Sequence, residues 1–326
     1  MSENQSGSAP TASQTVIIDR RSGRSLVWRV LGWLLSLFLG LAVLTTLVGG
    51  NGLPSRLSET YEAGPLLGPK IAIVSVSGTI SGQGVDHAIR QLRQARSDDR
   101  VHAVVLRVDS PGGTLSGADE IWREVRSLQS KKKPVVASFG GMAASGGYYV
   151  ATSCDMIFAE PTTLTGSIGV IMEIPEVGGL LDKLGVRMET LATGSWKDAP
   201  SMYRPLNDEE RARWKGMIGK GLDRFVRVIA QGRKLEESSV RTLADGRVFT
   251  ADEALQAHLV DRIGYLEDAV LEVQRRVSLS DPKVVRYSER NSVLESLMGT
   301  RARGDLPLSD VSAWLLSGPR LLLQTR

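Results

Sequence analysis

Residues 140–161 read GGMAASGGYYVATSCDMIFAEP, with Ser145 seated among glycines and alanines and the apolar run Pro134 to Phe139 just before it. An apolar run that ends in small residues and is succeeded by a helix-compatible stretch reads as a strand-to-helix turn. Small neighbours let other backbone come close to a serine, as a nucleophile requires. A packed turn serine would carry the same composition. A base, an oxyanion site and a route for substrate would separate the two readings.

Working outward, KIAIVSVSGTI (70–80) reads as a buried strand, VDHAIRQLRQAR (85–96) as a helix and VHAVVLRVDS (101–110) as a second strand. A helix comes next over Ser116 to Ser130, then the strand PVVASF, the serine turn and a helix opening near Ser145. Short strands are expected at DMIFAE, GVIMEI (169–174) and VRMETLA (186–192). A long helix is expected from Asp208 to Lys234, and VFTADEAL with LVDRIG reads as a helix capped by Thr250 and a short strand. Strands alternating with helices imply an α/β fold with parallel crossovers covered on both faces.

The chain has 326 residues, 42% hydrophobic and 23% charged, enough for a real core. Its pI of about 9.2 owes much to Arg20, Arg21, Arg24 and Arg29, and no aromatic-laced basic stripe points to nucleic acid. From Val30 to Val48 nineteen residues carry no charge, and as a helix they would reach about 28 Å, close to the hydrocarbon thickness. With arginines before it and only Arg56 in GGNGLPSRLSE after it, the segment predicts one signal anchor, the N-terminus cytoplasmic and the rest outside. A cleaved signal peptide is the alternative, but the run is long and TTLVGGNG is a poor cleavage site. The expected organisation is a disordered tail (1–25), the transmembrane anchor (26–48), a linker (49–69), the folded domain (70–281) and an apolar C-terminal extension (282–326) able to dock on a surface or a neighbour.

His87, His102 and His258 stand outside any glycine-rich or turn context, so a Ser-His-Asp arrangement has weak support. No cluster has metal-ligand spacing, and the single Cys154, within CDMIFAE, reads as a small buried hydrophobe. A lysine base is the other standard route. It accepts a proton from serine only when neutral, which calls for a desolvated setting. Lys197 in ATGSWKDAP comes after an apolar stretch and stands apart from solvated lysines such as Lys131, Lys132 and Lys133. For the oxyanion, the DSPGGT turn (109–114) offers Gly112 and Gly113, and Gly146 is next to the serine. A plain β-α turn would also use Pro and Gly there.

Taken in order, DSPGG, GGMAASGGYYVA, TGSIGVI and GSWKD resemble the signal peptide peptidase A family in its short, single-copy form. The resemblance spans about Lys70 to Leu271. It implies a ClpP/crotonase-like fold and a Ser-Lys serine endopeptidase with Ser145 as nucleophile and Lys197 as general base. It further implies Ser167 as the hydroxyl orienting the lysine, Gly113 and Gly146 as oxyanion donors, and no cofactor. It also implies a membrane-facing homo-oligomeric ring whose sites draw on neighbouring subunits, cleaving leftover signal peptides and other accessible hydrophobic segments without ATP. The alternatives are a crotonase-like acyl-CoA enzyme and a catalytically silent membrane scaffold of the same fold.

Overall fold

The computed structural model describes residues 28–40, 57–288 and 322–324. The chain divides into two units, Met1–Ser55 and Arg56–Arg326. In the first, residues 28–40 form a helix, α1, whose side chains are exposed throughout, Trp28 and Trp33 among them. Thirteen residues reach about 20 Å, and among the described residues no helix is long and apolar enough to cross a membrane. Residues 41–48 of the expected anchor lie outside the described residues, as does the expected tail, 1–25.

The second unit is built on a mixed sheet. In chain order its elements begin β1 (Ser58–Ala63), β2 (Lys70–Ser77), α2 (Gly82–Ser97), β3 (Val101–Ser110), β4 (Gly112–Thr114), α3 (Leu115–Ser130) and β5 (Val135–Ala144). They continue with α4 (Gly146–Ala151), β6 (Met156–Ala159), β7 (Leu164–Gly166), α5 (Gly178–Lys183), α6 (Asp208–Arg233) and α7 (Glu237–Leu243). Last come β8 (Val248–Thr250), α8 (Ala251–Gln256), β9 (Arg262–Ile263), α9 (Leu266–Arg276), β10 (Lys283–Ser288) and β11 (Leu322–Gln324). The main sheet runs β1-β10-β2-β3-β5-β6-β9, with β7 and β8 added beside β5. From β10 to β9 all neighbours are parallel, while β1/β10 and β7/β8 are antiparallel.

Strand alternation explains the layers. Ala72 and Val74 of β2 face the larger core, shared with Ala118 and Ile121 of α3, Tyr148 of α4 and Phe225 of α6. Ile71 and Ile73, one residue out of phase, face the smaller core under Ala269 and Val273 of α9. Side chains on successive strand residues point to opposite faces, so continuous Val/Ile runs need a cover on both sides.

The sheet extends past both ends of the span 70–281. β1 arises within the expected linker and β10 within the expected C-terminal extension, and the two pair with each other. β2 starts at Lys70, only 2% exposed, whose ammonium donates to Glu59 of β1 at 2.6 Å and to Asp98 at 2.9 Å. GVIMEI and VRMETLA, expected as strands, form none. Among the described residues neither joins a named strand, GVIMEI contributing only a single bridge at Ile171, and an unpaired strand leaves its backbone groups unsatisfied. Val186, Met188 and Leu191 turn to solvent instead, Leu191 being 91% exposed.

Candidate active site

β5 decides where the serine sits. Its first half pairs with β6, Val136 to Phe139 against Met156 to Ala159, and its second half with β7, Met142 to Ala144 against Leu164 to Gly166. Opposite β3 the register jumps, Val108 facing Phe139 while Ser110 faces Ala143. The extra residues are braced: Asp109 accepts from Met142 N–H at 3.1 Å and Thr163 donates to the Gly140 carbonyl at 2.7 Å. Such a bulge bends the strand and re-aims the residues after it.

Ser145 is the first residue beyond the strand, at the N-cap of α4 with φ 53° and ψ −114°. A positive φ is uncommon for any residue but glycine. Its N–H donates to the Gly166 carbonyl at 2.7 Å and its carbonyl accepts from Tyr149 N–H, so the backbone is held on both sides. The side chain is fully buried, and its Oγ has no hydrogen-bond partner among the described residues. Buried hydroxyls are normally satisfied. A strained, unpartnered serine is poorly explained by packing.

Opposite the serine stands β4. A Cβ built on Gly113 would lie 2.2 Å from the Ile80 carbonyl oxygen, so only glycine fits between β4 and that residue. A Cβ on Gly146 would lie 3.2 Å from Gly113 N. The backbones of the two candidate oxyanion donors are therefore in close contact beside Ser145. Ser167 is close as well: it succeeds Gly166, is 6% exposed, has φ 48° and donates its N–H to the Arg247 carbonyl at 2.8 Å. Ser145, Ser167, Gly113 and Gly146 are thus brought together.

Lys197 is placed otherwise. A desolvated setting is expected for a lysine base, but in the protomer Lys197 is exposed. The loop carrying it is braced on both flanks: Trp196 lies under the Arg213 guanidinium, 5.1 Å from the ring centre, and Asp198 pairs with Arg204, itself bonded to Glu210 of α6. The contacts hold the loop on either side of the lysine, whose own side chain is exposed. The other nucleophile candidate is inert: burial pushes the Cys154 thiol well up, away from thiolate. Among the described residues no group of His, Cys, Asp and Glu could hold a metal ion.

β11 pairs antiparallel with β4, Leu322 opposite Thr114, Leu323 opposite Gly113 and Gln324 opposite Gly112. An extended segment added to an open strand edge is one of the standard modes of peptide recognition. The sequence signals an apolar tail but not its register, because strand pairing across some 200 residues leaves no local trace.

A family model described as Clp protease matches residues 68–163, the part of the mixed α/β sheet from β2 to β6, so the fold is ClpP-like. A model described as peptidase family S49 matches residues 127–280. A candidate signal peptide peptidase SppA of Enterococcus faecium is 36% identical over 74% of this chain and 75% of its own. Protease 4 of Haemophilus influenzae is 35% identical over 77% of this chain, which spans 42% of that longer protein. The solved structure of a ClpP1 mutant of Listeria monocytogenes is similar with a TM-score of 0.42 at 17% identity, over 61% of this chain and 94% of that one. The chain belongs to peptidase family S49, in its signal peptide peptidase A branch, and is a protease.

Proposed function

We propose that the chain is a membrane-anchored serine endopeptidase in which Ser145 is the nucleophile and Lys197 the general base. The observation that carries the reading is the buried Ser145 Oγ, unpartnered and held at positive φ against the glycine strand β4. Because Lys197 is exposed on a braced loop that follows the unburied apolar residues Val186, Met188 and Leu191, the base in each site comes from a neighbouring copy in a homo-oligomeric ring. Assembly buries these apolar residues and supplies the desolvation that keeps the amine neutral.

Neutral Lys197 Nζ, oriented by the Ser167 hydroxyl, takes the Ser145 proton as Oγ bonds to the peptide carbonyl carbon. Gly113 and Gly146 N–H groups hold the oxyanion, the C–N bond breaks, and the lysine returns the proton to the leaving amine. Water then bonds to the acyl carbon as the same lysine takes its proton, the Oγ–acyl bond breaks to release the carboxyl product, and the lysine returns the proton to Ser145 Oγ. The substrate lies as an antiparallel strand on Gly112 to Thr114, the position β11 takes. Signal peptide remnants and other accessible hydrophobic segments suit such a site, with no cofactor and no ATP. The apolar run Val30 to Val48 holds the domain at the outer membrane face, the N-terminus remaining cytoplasmic.

Labelling with a fluorophosphonate tests the reading. The assembled protein should label, and Ser145→Ala and Lys197→Ala should each abolish labelling and peptide hydrolysis. Mixing the two inactive variants before assembly should restore part of the activity, since some sites then combine an intact serine with an intact lysine. Full activity in Lys197→Ala would refute the dyad, and no recovery on mixing would refute the shared site.

A further inference from the structure

One buried side chain beside the site is unused by the mechanism above. Ser110, the serine of DSPGG, is fully buried at the end of β3. Its Oγ donates to the Gly78 carbonyl at 2.6 Å and accepts from Gly112 N–H at 3.1 Å. It also abuts the helix just after the nucleophile: a Cβ on Gly147 would lie 2.9 Å from the Ser110 carbonyl oxygen and 3.3 Å from its Cβ.

Gly112 has φ +109°, and its two backbone groups are both held, the N–H by Ser110 and the carbonyl by Ile80 N–H at 2.8 Å. In a trans peptide the N–H points opposite to the preceding C=O. Since the Gly112 carbonyl points at Ile80, the Gly113 N–H points away from Ile80, toward the side where Gly146 lies. Thr114 N–H turns back to the Ile80 carbonyl at 2.8 Å. Of three successive N–H groups, the outer two are drawn to Ser110 and Ile80, and the middle one lies on the opposite edge of β4, the edge that β11 pairs and beside which Gly146 packs.

We propose that Ser110 is a positioning residue for catalysis: its hydroxyl fixes the Gly112 conformation and so aims the Gly113 N–H at the oxyanion. Glycine at φ +109° has wide freedom to rotate, and without this hydroxyl the peptide plane would be set by the Ile80 bond and the β11 edge alone among the described residues. The inference rests on the reading of Gly113 as an oxyanion donor. Losing one such donor costs about 10² to 10³ in kcat, and aiming it badly should cost part of that.

The test uses the full-length assembled protein, a leucine-rich fluorogenic peptide and a fluorophosphonate. Ser110→Ala should lower kcat by about 10- to 100-fold with KM changed less than about threefold, and should slow phosphonylation of Ser145 by a similar factor. Binding of a non-cleavable peptide of the same sequence should not change, because the oxyanion contact forms mainly in the transition state. Should the alanine variant fail to fold, Ser110→Cys carries the test: its weaker donor should give an intermediate kcat at wild-type peptide affinity. A folded Ser110→Ala or Ser110→Cys with wild-type kcat, or a loss confined to KM or thermal stability, overturns the proposal. Wild-type protein that neither labels nor hydrolyses would overturn the proposed function as well, so the two failures are distinguishable.

Discussion

Replacing Ser145 by glycine should make the protein more stable than replacing it by alanine. Both variants lack the hydroxyl, so the comparison isolates the backbone. Ser145 is held at φ 53° and ψ −114°, and a non-glycine residue in so sparsely populated a region costs about 1–3 kcal/mol. Alanine keeps the Cβ and the strain, whereas glycine removes both. Glycine in turn gives the unfolded chain more freedom, a cost of about 0.5–1 kcal/mol. The balance favours glycine by roughly 1 kcal/mol, or about 2–4 °C in Tm for a domain of this size. Thermal and urea unfolding of the two variants, both catalytically dead, would measure it. Made in a Lys197→Ala background, Ser145→Ala itself should be no less stable than its parent, because the lost Oγ has no partner in the protomer. Glycine equal to or below alanine would refute the strained turn. A marked loss in both would return Ser145 to the role of a packed turn serine.

Gly113→Ala should reduce kcat at least about 100-fold, since its Cβ would meet the Ile80 carbonyl at 2.2 Å and β4 must shift; phosphonylation kinetics on the folded variant report it, and a change under threefold would refute the crowding. For pH, burial pushes the Asp98 carboxyl up, but hydrogen bonds from Lys70 and Arg100 outweigh this and hold it at about 2 against an ordinary 3.8. A depressed folded pKa stabilises the protein above the unfolded value and the gain is lost as pH falls toward the folded one. Asp98→Asn should therefore cost about 1–2 kcal/mol at pH 6, a gap that narrows from pH 4 to pH 2 in urea titrations; a constant gap would count against the linkage.

The parallel sheet is legible because Val/Ile runs such as KIAIV and VHAVVLRV state their own burial, and the helices between the strands, α2 and α3, carry apolar stripes. Thr250 with Glu253 forms the capping box its position foretells. The turn around Ser145 is legible for the same local reason. Ser110 is not: its partner Gly78 lies 32 residues away, so in sequence it is one more turn serine. Ser167 shows itself only through family resemblance, its place beside Ser145 depending on the β5/β7 register. The segments GVIMEI and VRMETLA mislead because apolar alternation reports a surface that wants covering, not the element that covers it.

The closure of the sheet edge by β1 has a practical side. A soluble version begun at Lys70 would drop β1, leaving Lys70, 2% exposed in the intact chain, without its Glu59 partner and baring the outer edge of β10. Unprotected edges invite intermolecular pairing, and removing one partner of a buried charge is costly. Cutting before Arg56 instead keeps the strand with the sheet it completes, so a preparation trimmed there should stay in solution where the shorter one aggregates.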